Sequence, residues 1–142
     1  MAHWTTEYIE IPFKVHGRDE TGLDCWGLVY LIYLEQFGIE LPLYDNDYTN
    51  IKDTNHLSKL YEHGVNNPDI GWLSILRGQE QYGDVFLLPL AGRHTHVAIC
   101  VEPGLMIHIV KDAQVIVEEY YEAIWKKRFE RALIYRHPKV II

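Results

Sequence analysis

Cys25 is the residue whose type and position in this sequence best suit covalent chemistry. It follows Asp24 and opens a hydrophobic run, so we expect it in the first turn of a helix that the Asp24 carboxylate caps. Unpaired N–H groups and the positive end of the helix dipole favour an anion there, and a cysteine in the first turn tends towards the nucleophilic thiolate. Asp24 and Cys25 therefore predict a nucleophile for covalent catalysis, provided that a base lies nearby in the fold.

Histidines on two successive strands are the candidate partners of this cysteine. His96 is the best candidate for the base, and His108, on the next strand, is the candidate for the group that orients it. Pro103 and Gly104 indicate a tight hairpin, in which residues 96 and 108 are not directly opposite but lie close together on one face, where a bulge could tune the fit. The small Ala98, on the strand face of His96, leaves room for a helix N-terminus to approach that face. The pattern predicts a Cys–His–His site.

Other interpretations of these side chains remain open at this point. A zinc site built from Cys25, His94, His96 and His108 is one of them, although no CxxC or HExxH spacing supports it. A lone cysteine is more often a small core residue than a nucleophile, and this interpretation suits Cys100, in mid-strand. A Cys25–Cys100 bridge is the only disulfide that the two cysteines permit.

The elements that would position these residues are helices in the first half of the chain and strands in the second. Helices are predicted over 24–37, ended by Gly38, over 55–63, ended by Gly64, and, as a short third helix, between residues 68 and 77. Short β-type runs follow at 84–90, 96–102, 105–110 and 114–118, then a helix over 120–129 and a last strand over 132–135. The polar stretch 44–55 predicts a surface loop. This order predicts an α+β fold, with N-terminal helices packed on a central antiparallel sheet.

Composition limits the class of protein. A chain of 142 residues, 48% hydrophobic and 23% charged, is expected to form a single globular domain over 1–142. The net charge of −7 argues against nucleic acid as the main partner. No signal peptide opens the sequence and no apolar run is long enough to span a bilayer, so we expect a chain made in the cytoplasm, without membrane insertion.

Taken in order, the segments resemble the NlpC/P60 superfamily of papain-like cysteine peptidases, and particularly its phage-tail branch. The segments that carry the resemblance span nearly the whole chain: Gly22-x-Asp24-Cys25-Trp26-Gly27-Leu28-Val29, Phe37-Gly38-Ile39-Glu40-Leu41-Pro42, Gly83-Asp84-Val85, His96-Val97-Ala98-Ile99, Met106-Ile107-His108 and Ile134-Tyr135-Arg136. The resemblance implies a papain-like α+β fold. It also implies that Cys25 is the nucleophile, His96 the general base and acid, and His108 the group that orients His96.

One departure from the family concerns the oxyanion. Many members have a Pro-Tyr-x-x-Gly-Gly type segment before the nucleophile, with the Tyr near the oxyanion, whereas Phe13 stands here and has no hydroxyl. The backbone N–H of Cys25 remains as a donor, and removal of one donor typically costs about 10²–10³ in rate. Trp26, where many relatives carry Ser, is expected to pack the helix and to mark the phage branch. Phe13, Trp26 and His94 are the candidates for the substrate groove.

The function implied by the resemblance is that of a phage tail-associated cysteine peptidase, which hydrolyses amide bonds in peptidoglycan stem peptides and helps local wall penetration. Other tail-tip proteins are the implied partners and the virion tail the implied location, while no cofactor or metal is expected. Two alternatives stay open. One is a structural tail-tip component with little or no activity. The other is a cellular thiol amidase or acyltransferase on the same fold, which a deep apolar pocket beside Cys25 would favour.

Overall fold

A six-stranded antiparallel sheet and a small set of helices build the fold in the computed structural model, which describes residues 3–45, 47–48, 54–90 and 92–140. The strands are β1 (Arg18–Asp19), β2 (Gly22–Leu23), β3 (Leu73–Ile75), β4 (Val85–Leu90), β5 (Arg93–Glu102), β6 (Leu105–His108), β7 (Ile116–Glu119) and β8 (Leu133–Arg136). The α-helices are α1 (Cys25–Ile32), α2 (Thr54–Val65) and α3 (Lys126–Phe129), with 3₁₀ turns at Trp4–Glu7 and Ala123–Trp125. The predicted α+β class is confirmed.

The strand order in the sheet is β3-β8-β4-β5-β6-β7, and every neighbouring pair is antiparallel. Strands β1 and β2 form a separate two-stranded ladder. Strand β5 lies inside the large sheet, between β4 and β6, and carries His96, while β6 carries His108. The sheet therefore holds the two histidines on neighbouring strands, as the hairpin predicted at Pro103 and Gly104 required.

Strand β5 separates two hydrophobic cores, because alternate side chains point to opposite faces of a sheet. The face that packs with α1 carries Val97, Ile99 and Val101, and the other carries Ala98 and Cys100 under Trp125 and Phe129. The prediction that the helix N-terminus approaches the Ala98 face is therefore wrong. The three larger side chains provide the apolar surface that α1 buries, and the C-terminal aromatic residues fill the space above Ala98.

Helix α1 forms because an apolar segment begins at a capping carboxylate and ends at a glycine. All of its residues from Cys25 to Ile32 are buried, so it is a core helix. A π-helical turn, Tyr33–Phe37, continues it. Gly38 then adopts φ 66°, the left-handed conformation that glycine takes without strain, and ends the helix where the sequence predicted.

Two predicted elements differ from the structure. The short helix expected between residues 68 and 77 is wrong: Leu73–Ile75 is an edge strand that pairs with β8. The helix expected over 120–129 is confined to the 3₁₀ turn Ala123–Trp125 and the single turn of α3. In the predicted loop over 44–55, residues 46 and 49–53 lie outside the described residues, and α2 begins at Thr54.

Within the described part of the chain, none of the helices combines the length and the apolar character needed to cross a membrane.

Candidate active site

Asp24 caps the helix that presents the candidate nucleophile. Its Oδ1 accepts a hydrogen bond from the Gly27 N–H at 2.8 Å, the arrangement expected of an N-cap residue. The same buried carboxylate accepts hydrogen bonds from the Arg18 guanidinium at 2.8 Å, from the His16 N–H at 2.9 Å and from the Tyr48 hydroxyl. The predicted cap is confirmed, and a network of donors holds the start of α1 in place.

Cys25 is buried beside this cap, and its surroundings raise the pKa of its thiol, whereas the sequence predicted a thiol that ionises easily. Burial first, and the charge of Asp24 second, raise the pKa of the thiol, whereas a hydrogen bond from Tyr61 lowers it. The helix N-terminus alone predicted a thiolate, but loss of solvent disfavours the charged form. Cys25 therefore rests as a neutral thiol and would need a base to ionise.

A cavity of about 90 Å³ opens beside this thiol and is shared with the candidate base. Its lining residues are Phe13, Cys25, Leu57, Leu90, Thr95, His96, Ile109, Val110 and Lys111. The sulfur itself lies 3.5 Å from the Tyr61 hydroxyl and 4.0 Å from the Thr95 carbonyl oxygen. The structure thus brings Cys25, His96 and Phe13 to one cavity.

A β-bulge explains how His96 reaches this cavity although α1 packs on the opposite face of its strand. Leu88 pairs with His96, whereas the next residue, Pro89, pairs with His94, so that Thr95 is the extra residue of β5. Bulges bend a strand locally and redirect its side chains, and they are frequent beside active sites. Here the bulge places the Thr95 carbonyl against Cys25 and His96 at the edge of the cavity.

His96 is the first of three residues joined by short polar contacts. Its Nε2 lies 2.9 Å from His108 Nδ1, and His108 Nε2 lies 2.8 Å from Glu118 Oε1. The two histidines are offset on neighbouring strands, and β5 is irregular between Cys100 and Glu102. The predicted closeness of His96 and His108 on one face is confirmed, while their catalytic roles stay predictions.

Trp125 packs against both histidines. Its ring stacks on His96, with centroids 5.5 Å apart, and meets His108 edge-on at 4.8 Å. Burial, followed by the charges of His108 and Arg128, lowers the pKa of His96 to about 3. Burial also lowers the pKa of His108, although Glu118 opposes this effect. Both imidazoles are therefore neutral at pH 7, as a general base requires.

The other two groove candidates lie away from the cavity that contains Cys25. Trp26 donates from Nε1 to the Pro42 carbonyl at 2.8 Å and lines a separate, aromatic cavity with Tyr44 and Tyr61. This packing agrees with the structural role expected of Trp26. His94 Nε2 contacts the Arg131 carbonyl at 2.8 Å, and the side chain borders another cleft.

The zinc site considered above does not form, since no group of three or more His, Cys, Asp or Glu side chains that could hold a metal occurs among the described residues. Cys25 and Cys100 are both free thiols.

Two residues at the site were missed in the sequence. Glu118 could have been found from strand pairing. His108 lies opposite Ile116, and Glu118 is on the same face as Ile116, two positions further along β7. Tyr61 had no comparable signal. It lies on α2, and only the packing of α2 beside β5 brings its hydroxyl to Cys25.

The NlpC/P60 family matches residues 10–134, which is most of the sequence. The chain belongs to the NlpC/P60 family. The NlpC/P60 match covers the capped cysteine and both histidines, and it confirms the family that the ordered motifs predicted.

Curated relatives of this NlpC/P60 domain include the murein DD-endopeptidase MepS/murein LD-carboxypeptidase of Escherichia coli strain K12, which is 27% identical over 122 residues. The aligned region is 86% of this chain and 54% of the relative, so the chain spans about half the length of the curated relatives it matches. The same protein from E. coli O157:H7 matches equally. These names agree with the predicted class of enzyme, a cysteine peptidase that acts on peptidoglycan.

Solved structures of NlpC/P60 proteins share the fold. The NlpC/P60 domain of the peptidoglycan hydrolase SagA has a TM-score of 0.56 at 23% identity, covering 81% of this chain and 82% of that one. An NlpC/P60 protein from Bacillus cereus has a TM-score of 0.63 at 19% identity, covering 93% of this chain and 37% of that one. At these identities the likeness supports the architecture alone.

Proposed function

We propose that this NlpC/P60 domain is a cysteine peptidase that hydrolyses amide bonds in peptidoglycan stem peptides. The observation that carries the proposal is the single cavity lined by both Cys25, at the start of α1, and His96, at the bulge of β5. Contacts from His96 to His108 and on to Glu118 give the base a fixed orientation. The murein-hydrolysing relatives supply the substrate class.

In the proposed reaction, His96 takes the proton of the Cys25 thiol as the sulfur attacks the amide carbonyl. The tetrahedral intermediate collapses, the carbon–nitrogen bond breaks, and the His96 imidazolium returns its proton to the leaving amine. Water, deprotonated by His96, then hydrolyses the thioester and regenerates the thiol. The backbone N–H of Cys25 is the candidate oxyanion donor, as Phe13 supplies no hydroxyl to the cavity.

Digestion of purified peptidoglycan, followed by mass spectrometry of the released fragments, tests this proposal. Wild-type protein should release cleaved stem peptides, whereas Cys25→Ala should release none while keeping its circular dichroism spectrum. Cys100→Ala is the matched control, because Cys100 is also buried but lies in the other core. Equal release by wild type and Cys25→Ala would rule out Cys25 as the nucleophile.

We also propose the finer setting, a phage tail component that carries the peptidase to the wall with other tail-tip proteins. Its support is the resemblance of the Asp24-Cys25-Trp26-Gly27 segment to the phage-tail branch. Mass spectrometry of purified virions from a phage that encodes this chain should detect it in the tail. Its absence from such virions would remove this setting and leave the peptidase proposal intact.

The amidase or acyltransferase alternative receives less support from the cavity. A pocket for a small molecule usually measures about 300–1,000 Å³. The cavity beside Cys25 measures about 90 Å³, and although most of its lining side chains are apolar, Thr95, His96 and Lys111 supply polar groups. Its small volume suits the local binding of one segment of an extended peptide better than the enclosure of a whole small molecule.

A further inference from the structure

Glu118 ends the line of contacts that starts at the candidate base. The side chains of His96 and His108 are buried, and Glu118 retains 31% exposure at the outer end of the line. An ionised carboxylate accepts hydrogen bonds but donates none. The 2.8 Å contact with Glu118 Oε1 therefore requires the proton of His108 to be on Nε2.

The position of this proton determines that of the next one. Burial lowers the pKa of His108, so its ring is neutral at pH 7 and carries a single N–H. With that proton on Nε2, His108 Nδ1 is an acceptor, and His96 Nε2 must donate across the 2.9 Å contact. His96 is neutral as well, and its lone pair is consequently on Nδ1.

His96 Nδ1 is also the nitrogen that the surrounding protein leaves free. Among the residues that the structure describes, the hydrogen bond of His96 is the one from Nε2 to His108. A lone pair without a partner, on a side chain that lines the cavity of Cys25, is the acceptor that the thiol proton needs.

We propose that Glu118 is a positioning residue that sets the tautomers of both His108 and His96, and so makes His96 Nδ1 the base. The proposal rests on the proposed function only in assigning that base to Cys25. When the thiol proton moves to Nδ1, the His96 imidazolium carries N–H groups on both nitrogens. The existing Nε2–H still donates to His108, and the negative charge of Glu118 lies beyond it.

Strand β7 provides a matched control next to Glu118. Successive side chains of a strand point to opposite faces, so that Glu119 points away from His108 and is exposed. Glu119→Gln removes one negative charge, as Glu118→Ala does, but it leaves the contact with His108 unaltered. Glu118→Ala removes the acceptor itself.

Long-range ¹H–¹⁵N NMR of histidine-labelled protein at pH 7 tests the proposal, with signals assigned from single His→Gln variants. Wild type and Glu119→Gln should show both His96 and His108 protonated at Nε2. Glu118→Ala should show His108 with a mixture of tautomers, and its kcat/KM on wall peptides should fall by at least about tenfold.

Protonation of His96 at Nδ1 in the wild type would overturn the proposal, and so would unchanged tautomers in Glu118→Ala. The wild-type spectrum decides the question even where Glu118→Ala does not fold. Tautomers are measured without substrate, so a protein that cleaves no wall peptide still gives a result. Correct tautomers without cleavage would contradict the proposed function alone, and cleavage with other tautomers would contradict the role of Glu118 alone.

Discussion

The hydroxyl of Tyr61, on α2, lies 3.5 Å from Sγ of Cys25, on α1, so that two residues 36 positions apart in the sequence meet in the core. Burial first, and the proximity of Cys25 next, raise the pKa of Tyr61 well above its ordinary value, so the phenol keeps its proton. It can therefore donate to the sulfur, and this hydrogen bond opposes the burial and the Asp24 charge that raise the pKa of the thiol.

Replacing Tyr61 by Phe should make Cys25 harder to ionise. A hydrogen bond to a charged group is worth about 1.5–3 kcal/mol, so we expect alkylation of Cys25 by iodoacetamide at pH 8 to slow by about tenfold or more. The modified peptide is quantified by mass spectrometry. Tyr120→Phe is the matched control, as the Tyr120 hydroxyl lies 4.0 Å from the other cysteine, Cys100. Alkylation of Tyr61→Phe at the wild-type rate would show that the hydroxyl does not stabilise the thiolate.

The site could be predicted from the sequence where its geometry is local. Asp24, Cys25 and Gly38 define a helix by their types alone, and the short connection between β5 and β6 limits how far His96 can lie from His108. Tyr61 required knowledge of how α2 packs beside the sheet, which no local pattern contains.

The same limit explains two errors in the fold. Leu73–Ile75 is a strand because it pairs with residues 134–136 of β8, a contact between distant parts of the chain. The face of β5 that receives α1 was assigned from the small size of Ala98. The decisive factor is instead which face offers α1 the larger apolar surface, and that depends on what else covers the sheet.

Removing the Asp24 carboxylate should destabilise the whole fold. Asp24→Ala leaves the Arg18 guanidinium, whose side chain is 10% exposed, without its ion-pair partner, and breaking a buried pair in this way costs about 3–5 kcal/mol. Urea denaturation gives the loss. Asp19→Ala is the control, because that exposed carboxylate accepts hydrogen bonds from the nearby Thr21 and its loss should leave the midpoint near the wild-type value. Equal midpoints for Asp24→Ala and Asp19→Ala would contradict the structural role of the network.

Stability should fall as the pH falls, and His96 should account for part of the fall. Burial lowers its pKa to about 3 in the folded chain, so below pH 6.5 the unfolded chain binds a proton that the folded chain does not. The contribution of neutral His96 to the free energy of unfolding is complete above pH 6.5 and is lost progressively as the pH falls to 3. His96 alone should remove about 2 kcal/mol between pH 7 and pH 5.

His108 acts in the same direction, since burial lowers its pKa too. Urea denaturation at pH 7 and pH 5 measures the combined loss. His96→Gln should lose less stability over this interval than wild type, whereas His94→Gln should retain the wild-type difference, because His94 lies outside this buried pair. A His96→Gln variant with the full wild-type difference would show that His96 is not the group that titrates.

Gly27 provides a test of how closely α1 approaches the preceding loop. In a helix interior, Gly→Ala usually stabilises by up to about 1 kcal/mol. At Gly27 the new Cβ would lie 1.9 Å from the Gly17 carbonyl oxygen, and this backbone atom cannot rotate away. Gly27→Ala should therefore destabilise the protein by about 1–3 kcal/mol, measured as a lower thermal midpoint.

Gly64→Ala in α2 is the control. Its Cβ would lie 2.8 Å from the Tyr44 hydroxyl, which is the end of a side chain that can move, so the midpoint of this variant should stay near the wild-type value. A midpoint for Gly27→Ala at or above the wild-type value would mean that the loop moves to make room, and that α1 does not require the glycine after Cys25-Trp26 in order to pack against it.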